Sequence, residues 1–233
     1  TALQGQQGDR RLRLGIAGGE WKKMMADATA RTRFASEVKK IIEQYDFDGV
    51  DFDFEWPTNT NEFNNYSATV IQMRSTLGKY VYFTASLHPV SFKISPEAID
   101  ALDFISYQCY GPAVMRFPYE QFVKDGEMAI TYGIPKNKLV MGVPFYGSTG
   151  SLIAAYYDFV NDGLATTIED TYTYKGNTYT FNSVETIRKK ARYVCEEGFA
   201  GIMSWDLATD IDVTNNLLKA IKEEFEYYAN PTE

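Results

Sequence analysis

The 233-residue sequence predicts an α/β fold, a (β/α) barrel with a parallel sheet inside and helices outside. Three observations carry this. Short apolar runs alternate with longer amphipathic stretches along the chain, the order expected of repeated β-α units. Crossovers repeated this often, all right-handed, curl a parallel sheet toward a barrel. The length, with 45% apolar and 15% aromatic residues, suits one domain with a sizeable core.

Residues 12–17 read as a strand ending in Gly18-Gly19. Residues 31–45 follow with helical period, placing Phe34, Val38, Ile41 and Ile42 on one face. Strands are expected over 47–54, 80–87, 104–110, 139–144 and 200–205. Helices are expected over 62–77, 95–102 after a Ser-Pro start, 119–132, 184–197 and 215–228. The strand total is six, and barrels of this type carry eight over about 250 residues or more. Between the last two strands, Thr171-Tyr172-Thr173-Tyr174 and Thr178-Tyr179-Thr180-Phe181 alternate around Lys175-Gly176-Asn177, which is a hairpin signal. The expected organisation is one domain over 1–233 with a short inserted hairpin region around 165–183.

A net charge of −8 argues against nucleic acid as a partner, because phosphates are neutralised by basic patches. No apolar run approaches the ~20 residues needed to span a bilayer. The sequence starts at Thr1-Ala2-Leu3 without Met, so a processed or trimmed chain is expected, and the missing signal peptide says little about location; a secreted or extracytoplasmic one is expected. Cys109 and Cys195 have no metal spacing and make no disulfide framework, and they read as buried free thiols. The single histidine, His88, is the one residue on which a Ser-His-Asp triad could be built, and the sequence offers it no partners. Neither a metal nor a cofactor is expected, so chemistry must rest on carboxylates and tyrosines.

The informative segment is Asp48-Gly49-Val50-Asp51-Phe52-Asp53-Phe54-Glu55-Trp56-Pro57. Side chains alternate along a strand, so Asp51, Asp53 and Glu55 share one face and Val50, Phe52 and Phe54 the other. The apolar face can pack on helices, which turns the acidic face to the barrel interior. Successive carboxylates stand roughly 6.5 Å apart along the strand. Carboxylates this close cannot all ionise freely, and they titrate as a coupled set. Glu55 comes last, at the C-terminal strand end where barrels carry their chemistry, so it is best placed to hold a proton and donate it. The spacing differs from the calcium-loop pattern.

Asp-Gly-x-Asp-x-Asp-x-Glu, complete at Asp48–Glu55, resembles the signature of family 18 glycoside hydrolases, the chitinase family. Other segments resemble the family in the same order. Gly18-Gly19 is similar to the end of its Ser-x-Gly-Gly, Gly142 to Gly147 to its seventh-strand segment, and Gly201 to Trp205 to its eighth. The resemblance runs from about Leu12 to the final helix and implies a (β/α)8 TIM barrel of the family 18 type. By that pattern the first two strands would precede Leu12, so the chain is expected to lack the first two strand-helix units.

The resemblance also implies a mechanism and a set of site residues. Glu55 would be the acid/base of a retaining, substrate-assisted hydrolysis at N-acetylglucosamine, and Asp53 would orient the acetamido N–H. Asp51 would share a proton with Asp53. Tyr110 would hydrogen-bond the acetamido carbonyl, and Trp205 would floor the −1 subsite; a core tyrosine and a core tryptophan read the same from sequence. Tyr146 and Trp56 fit cleft lining or packing, and Trp21 fits a sugar contact or helix packing. The sixth-strand segment Gln108-Cys109-Tyr110-Gly111 departs from the family pattern: Gln108 resembles the plant-type chitinases and the endo-β-N-acetylglucosaminidases, and Gly111 removes a polar group that would touch substrate. Ile16 stands where the family has Ser. Residues 148–183 leave no room for the family's large α+β insertion, which implies a shallower groove, suited to endo cleavage or to shorter chains. The implied partner is chitin or an N-acetylglucosamine oligosaccharide, acted on by a monomer. An endo-β-N-acetylglucosaminidase of the N-glycan chitobiose core and a chitin-binding lectin are the competing readings.

Overall fold

A computed structural model describes residues 8, 10–165, 168–211 and 216–230. Residues 1–3, residues 166 and 167 of the inserted region, and Asn215 of the last expected helix lie outside the described residues. In chain order the elements are β1 (Arg13–Ile16), α1 (Trp21–Ala26), α2 (Ala28–Tyr45), β2 (Gly49–Phe52), α3 (Thr60–Leu77), β3 (Tyr82–Leu87), α4 (Pro96–Ala101) and β4 (Phe104–Tyr107). They continue with α5 (Tyr119–Tyr132), β5 (Leu139–Pro144), β6 (Tyr146–Ser148), β7 (Ile153–Ala155), α6 (Tyr156–Asn161), β8 (Thr171–Tyr174), β9 (Asn177–Thr180), α7 (Val184–Glu197), β10 (Gly201–Trp205) and α8 (Leu217–Ala229). The chain divides into two compact units. The first runs to Ser106 and includes Tyr132–Ile134; the second takes Tyr107–Thr131 and the chain from Pro135 onward.

In the first unit β1 pairs parallel to β2, from Arg13 with Gly49 to Ile16 with Phe52. β2 pairs parallel to β3, from Gly49 with Tyr82 to Phe52 with Ala85, and β4 lies beside β3. The outer face of β2 makes the core. Val50 and Phe52 are fully buried and Phe54 nearly so. The Phe52 ring lies 5.8 Å from Phe34 of α2 and 6.5 Å from Tyr66 of α3, and Phe54 lies 5.8 Å from Trp21 of α1. Each such side chain contributes roughly 1.5–3 kcal/mol by leaving water. The helices start where their caps dictate: Asp27 accepts from Ala30 N, Asn59 from Glu62 N, and Ser95 from Ala98 N ahead of Pro96. Gly49 is required by packing, because a Cβ there would lie 2.0 Å from the Tyr82 carbonyl oxygen.

In the second unit β5 and β10 pair parallel, from Val140 with Gly201 to Pro144 with Trp205. A separate antiparallel sheet runs in the order β7-β6-β9-β8. Its hairpin falls where the alternation predicts, turning through Lys175 and Gly176 at φ 49° and 77°. Two successive positive φ values match the two-residue turn whose twist suits a hairpin. Phe159 of α6 gathers this sheet's aromatics, with Tyr179 at 5.4 Å and Phe181 at 5.2 Å. α7 is capped by Ser183 and ends at Gly198, whose φ is 72°.

The six predicted strands are present as parallel strands among the described residues, four in the first unit and two in the second. Their ends differ from the sequence reading. β2 stops at Phe52 because its neighbour β1 stops at Ile16, leaving Asp53 N to make one further bond to the Ile16 carbonyl at 2.9 Å. β4 stops at Tyr107 because Cys109 N turns back to the Tyr107 carbonyl at 2.8 Å. Glu55 and Tyr110 therefore stand on the segments that leave the strands.

Candidate active site

The expected alternation holds along the carboxylate segment of the first unit. Phe52 and Phe54 are buried, Asp51 and Asp53 are half-buried, and Glu55 is exposed. The parallel register sets Gly15, Asp51 and Thr84 side by side on three strands. Thr84 Oγ1 donates to Asp51 Oδ1, and Ser86, two residues further along the same face, donates to Oδ2 at 3.0 Å. Arg13 Nη1 lies 3.6 Å from Asp51 Oδ1. Burial pushes the Asp51 carboxyl above the usual range, with the Thr84 hydrogen bond, the Arg13 charge and the Ser86 hydrogen bond opposing it. Asp51 is thus a fixed acceptor with both oxygens engaged, while Glu55 reaches solvent.

The chain beyond Glu55 is fastened to the exit of β3. The Trp56 ring lies 4.7 Å from His88, inclined at 39°. His88 is buried and its Nδ1 accepts from Val90 N at 3.2 Å, which leaves the proton of a neutral ring on Nε2. Ser91 Oγ donates to the Pro57 carbonyl at 2.6 Å. A cis peptide joins Glu55 to Trp56, and another joins Trp205 to Asp206. His88 thus has a partner that the sequence did not reveal, since the two residues stand 32 positions apart on neighbouring strand exits. Trp21 belongs to the helix packing, 6.3 Å from Tyr66 and edge-on to it.

The second unit brings Tyr110 and Tyr146 together. Their ring centroids are 6.3 Å apart at 86°, and Phe117 meets Tyr146 at 5.5 Å and 86°. Such edge-to-face pairs add about 0.5–1.5 kcal/mol to the burial itself. The Tyr110 hydroxyl lies 3.5 Å from Met203 Sδ on β10. Beneath this cluster Lys190 of α7 donates to the Phe117 carbonyl and to Asn182 Oδ1, each at 2.7 Å, and Asn182 Nδ2 donates to the same carbonyl at 2.8 Å. Gln108 is buried, and Trp205, at the end of β10, is 54% exposed. Both cysteines are free, Cys109 buried and Cys195 half-buried.

Backbone conformation bears on one departure in the sixth-strand segment. Gly111 has φ 39°, and a Cβ there would lie 2.8 Å from the Tyr146 hydroxyl. At that φ a side chain is strained whatever the space around it. Ile16 pairs with Phe52, which faces the helices, so the position beside Asp51 on the inner face is Gly15. Arg13 supplies the polar contact from two residues earlier on that face.

The model of the family described as glycosyl hydrolases family 18 matches residues 4–210. A probable chitinase 2 of Drosophila melanogaster is 24% identical over 272 residues, covering 85% of this chain and 56% of that protein. The class V chitinase of Arabidopsis thaliana is 24% identical over 260 residues, covering 84% of this chain and 69% of that protein. The chain therefore spans little more than half the length of the first and about two thirds of the second. Among solved structures, a family 18 chitinase of Flavobacterium johnsoniae superposes with a TM-score of 0.83 and 25% identity, covering 96% of this chain and 77% of that one. The matched span, the complete carboxylate motif and the TIM-barrel likeness agree, and the chain belongs to the glycosyl hydrolases of family 18.

Proposed function

We propose that this chain is an endo-acting glycosidase that cleaves β-1,4 bonds next to N-acetylglucosamine, in chitin or chito-oligosaccharides, with retention of configuration. One observation carries the reading: Glu55 ends the Asp48–Glu55 motif at an exposed position while Asp51 is held below it by two hydroxyl donors. Glu55 gives its proton to the glycosidic oxygen as the bond to the anomeric carbon breaks. By resemblance to the family, the nucleophile belongs to the substrate rather than to a second carboxylate. The substrate's own acetamido oxygen then attacks the anomeric carbon and forms an oxazolinium ion. Water opens that ion and loses its proton to the Glu55 carboxylate. Asp53, between Asp51 and Glu55, orients the acetamido N–H. By the family pattern Tyr110 and Trp205 are sugar-contacting residues. The names of the chitinase relatives support the same substrate class.

The test offers chitotetraose and a high-mannose glycopeptide to wild type and Glu55→Gln in parallel. Cleavage of the chito-oligosaccharide by wild type alone, with the β-anomer released first, is the expected result. Cleavage of the glycopeptide alone would transfer the reading to an endo-β-N-acetylglucosaminidase. Equal, negligible turnover by both proteins, with binding retained, would make the chain a lectin.

A further inference from the structure

The family motif explains a carboxylate strand, but it has no place for the guanidinium beside it. Arg13 comes two residues before Gly15, the register partner of Asp51, so Arg13 and Asp51 occupy the same face of adjacent parallel strands. Arg13 Nη1 donates to Thr84 Oγ1 at 2.5 Å and stands 3.6 Å from Asp51 Oδ1. Thr84 has its oxygen engaged by the guanidinium and turns its own proton to Asp51 Oδ1. The relay has one polarity, from the Arg13 N–H to the Thr84 oxygen and from the Thr84 O–H to the carboxylate, and links of this kind strengthen one another. Ser86 completes it at Oδ2. Each of these donors suits an ionised carboxylate, and a proton on Asp51 would displace one of them.

Burial is the largest influence on Asp51 and works toward protonation, with Thr84, Arg13 and Ser86 resisting it. Tyr66 of α3 feels the charges of Asp51 and Asp53, and β3 contributes hydroxyls. Burial, with the charges of Asp51 and Asp53 adding to it, holds the Tyr66 phenol far above its ordinary range, so it stays neutral. Among these described groups the compensating positive charge is that of Arg13.

We propose that Arg13 is a positioning residue of the acid site: through Thr84 it keeps Asp51 an anion beside Asp53 and Glu55. Asp51 then takes up no proton, and the proton that Glu55 gives to the glycosidic oxygen is replaced from water over the cycle. The proposal rests on the reading of Glu55 as the acid.

The experiment follows the side-chain carboxyl resonances of 13C-labelled aspartate against pH in wild type, Arg13→Gln and Arg13→Lys. Asp51→Asn identifies the Asp51 signal by its loss. Arg13→Gln should move the Asp51 midpoint to higher pH, and Arg13→Lys, which keeps the charge, should return it toward wild type. The acid limb of kcat/KM on chitotetraose should move the same way, lowering the rate several-fold at the acid end in the Gln variant and less in the Lys variant. A role confined to packing would lower the rate evenly across pH and leave the midpoint in place. An Asp51 midpoint unchanged in Arg13→Gln would overturn the proposal. If Arg13→Gln does not fold, Thr84→Val breaks the same relay and must give the same upward movement. Wild type with no turnover of any acetamido sugar would sink the reading of Glu55, while the carboxyl titration would still decide the role of Arg13.

Discussion

Replacing Lys190 with Met should remove a pH dependence of stability whose size follows from the burial of one amine. The Lys190 side chain is wholly buried, and its Nζ donates to two acceptors at 2.7 Å, the Phe117 carbonyl and Asn182 Oδ1. A neutral lysine amine has two N–H bonds to give, which these two acceptors satisfy. Burial pulls its pKa down from 10.5 to about 7, against the charges of Asp170, Asp125 and Glu120. The unfolded chain holds its proton up to pH ~10.4. Between pH 7 and that value the unfolded state binds more protons, so stability rises with pH across the window and is lost as pH falls toward 7. At about 1.36 kcal/mol per pH unit, the stretch from pH 7 to 8.5 contributes roughly 2 kcal/mol. Cys109 acts in the opposite sense, since its raised thiol pKa makes stability fall once an unfolded cysteine ionises near pH ~8.5. The measurement therefore stops at pH 8.5 and compares urea unfolding of wild type and Lys190→Met at each pH, so that common terms cancel. Wild type should gain on the variant by roughly 2 kcal/mol between pH 7 and 8.5. A difference that stays flat across pH 6–8.5 would refute the reasoning and mean that Lys190 is charged in the fold. Phe117 is not released altogether in the variant, because Asn182 Nδ2 still holds its carbonyl.

Other outcomes follow from the same geometry. Glu55→Gln should lower kcat by about 10²–10⁴-fold, as expected for loss of a general acid, with oligosaccharide affinity nearly unchanged by calorimetry. A thiazoline analogue of the oxazolinium ion should compete with chitotetraose far more tightly than an unmodified disaccharide, because it resembles the charged intermediate; trapping a glycosyl ester on Asp53 or Glu55 by mass spectrometry would contradict this. Gly142→Ala places a Cβ 2.7 Å from the Tyr107 carbonyl oxygen and 2.8 Å from Tyr110 Cε1. It should cost about 1–3 kcal/mol in thermal unfolding and displace Tyr110, so kcat/KM should fall with it. A variant with wild-type stability would show that β5 can move away.

The parts of this protein that sequence reveals are those with a local period. Val50, Phe52 and Phe54 had to face a core because they alternate with carboxylates, and Phe34, Trp21 and Tyr66 meet them there. The hairpin showed for the same reason, with Lys175-Gly176 supplying its turn. The groups that hold the site were hidden because each reaches its partner across a strand. Thr84 and Ser86 reach Asp51 from β3, Arg13 from β1, and His88 meets Trp56 from the far side of α3 in the sequence. A period identifies a face, but only the register says what stands beside it. Matching Gly18-Gly19 to the family's glycines put Ile16 at the serine position, yet pairing with Phe52 turns Ile16 to the helices and leaves Gly15 opposite Asp51. A Cβ at Gly15 would meet nothing within 4 Å, so that position offers Asp51 no donor of its own. A buried carboxylate without one would take up a proton. The hydroxyls of β3 and the charge of Arg13 are what this chain supplies against that outcome, and they leave Glu55 as the exposed group of the face.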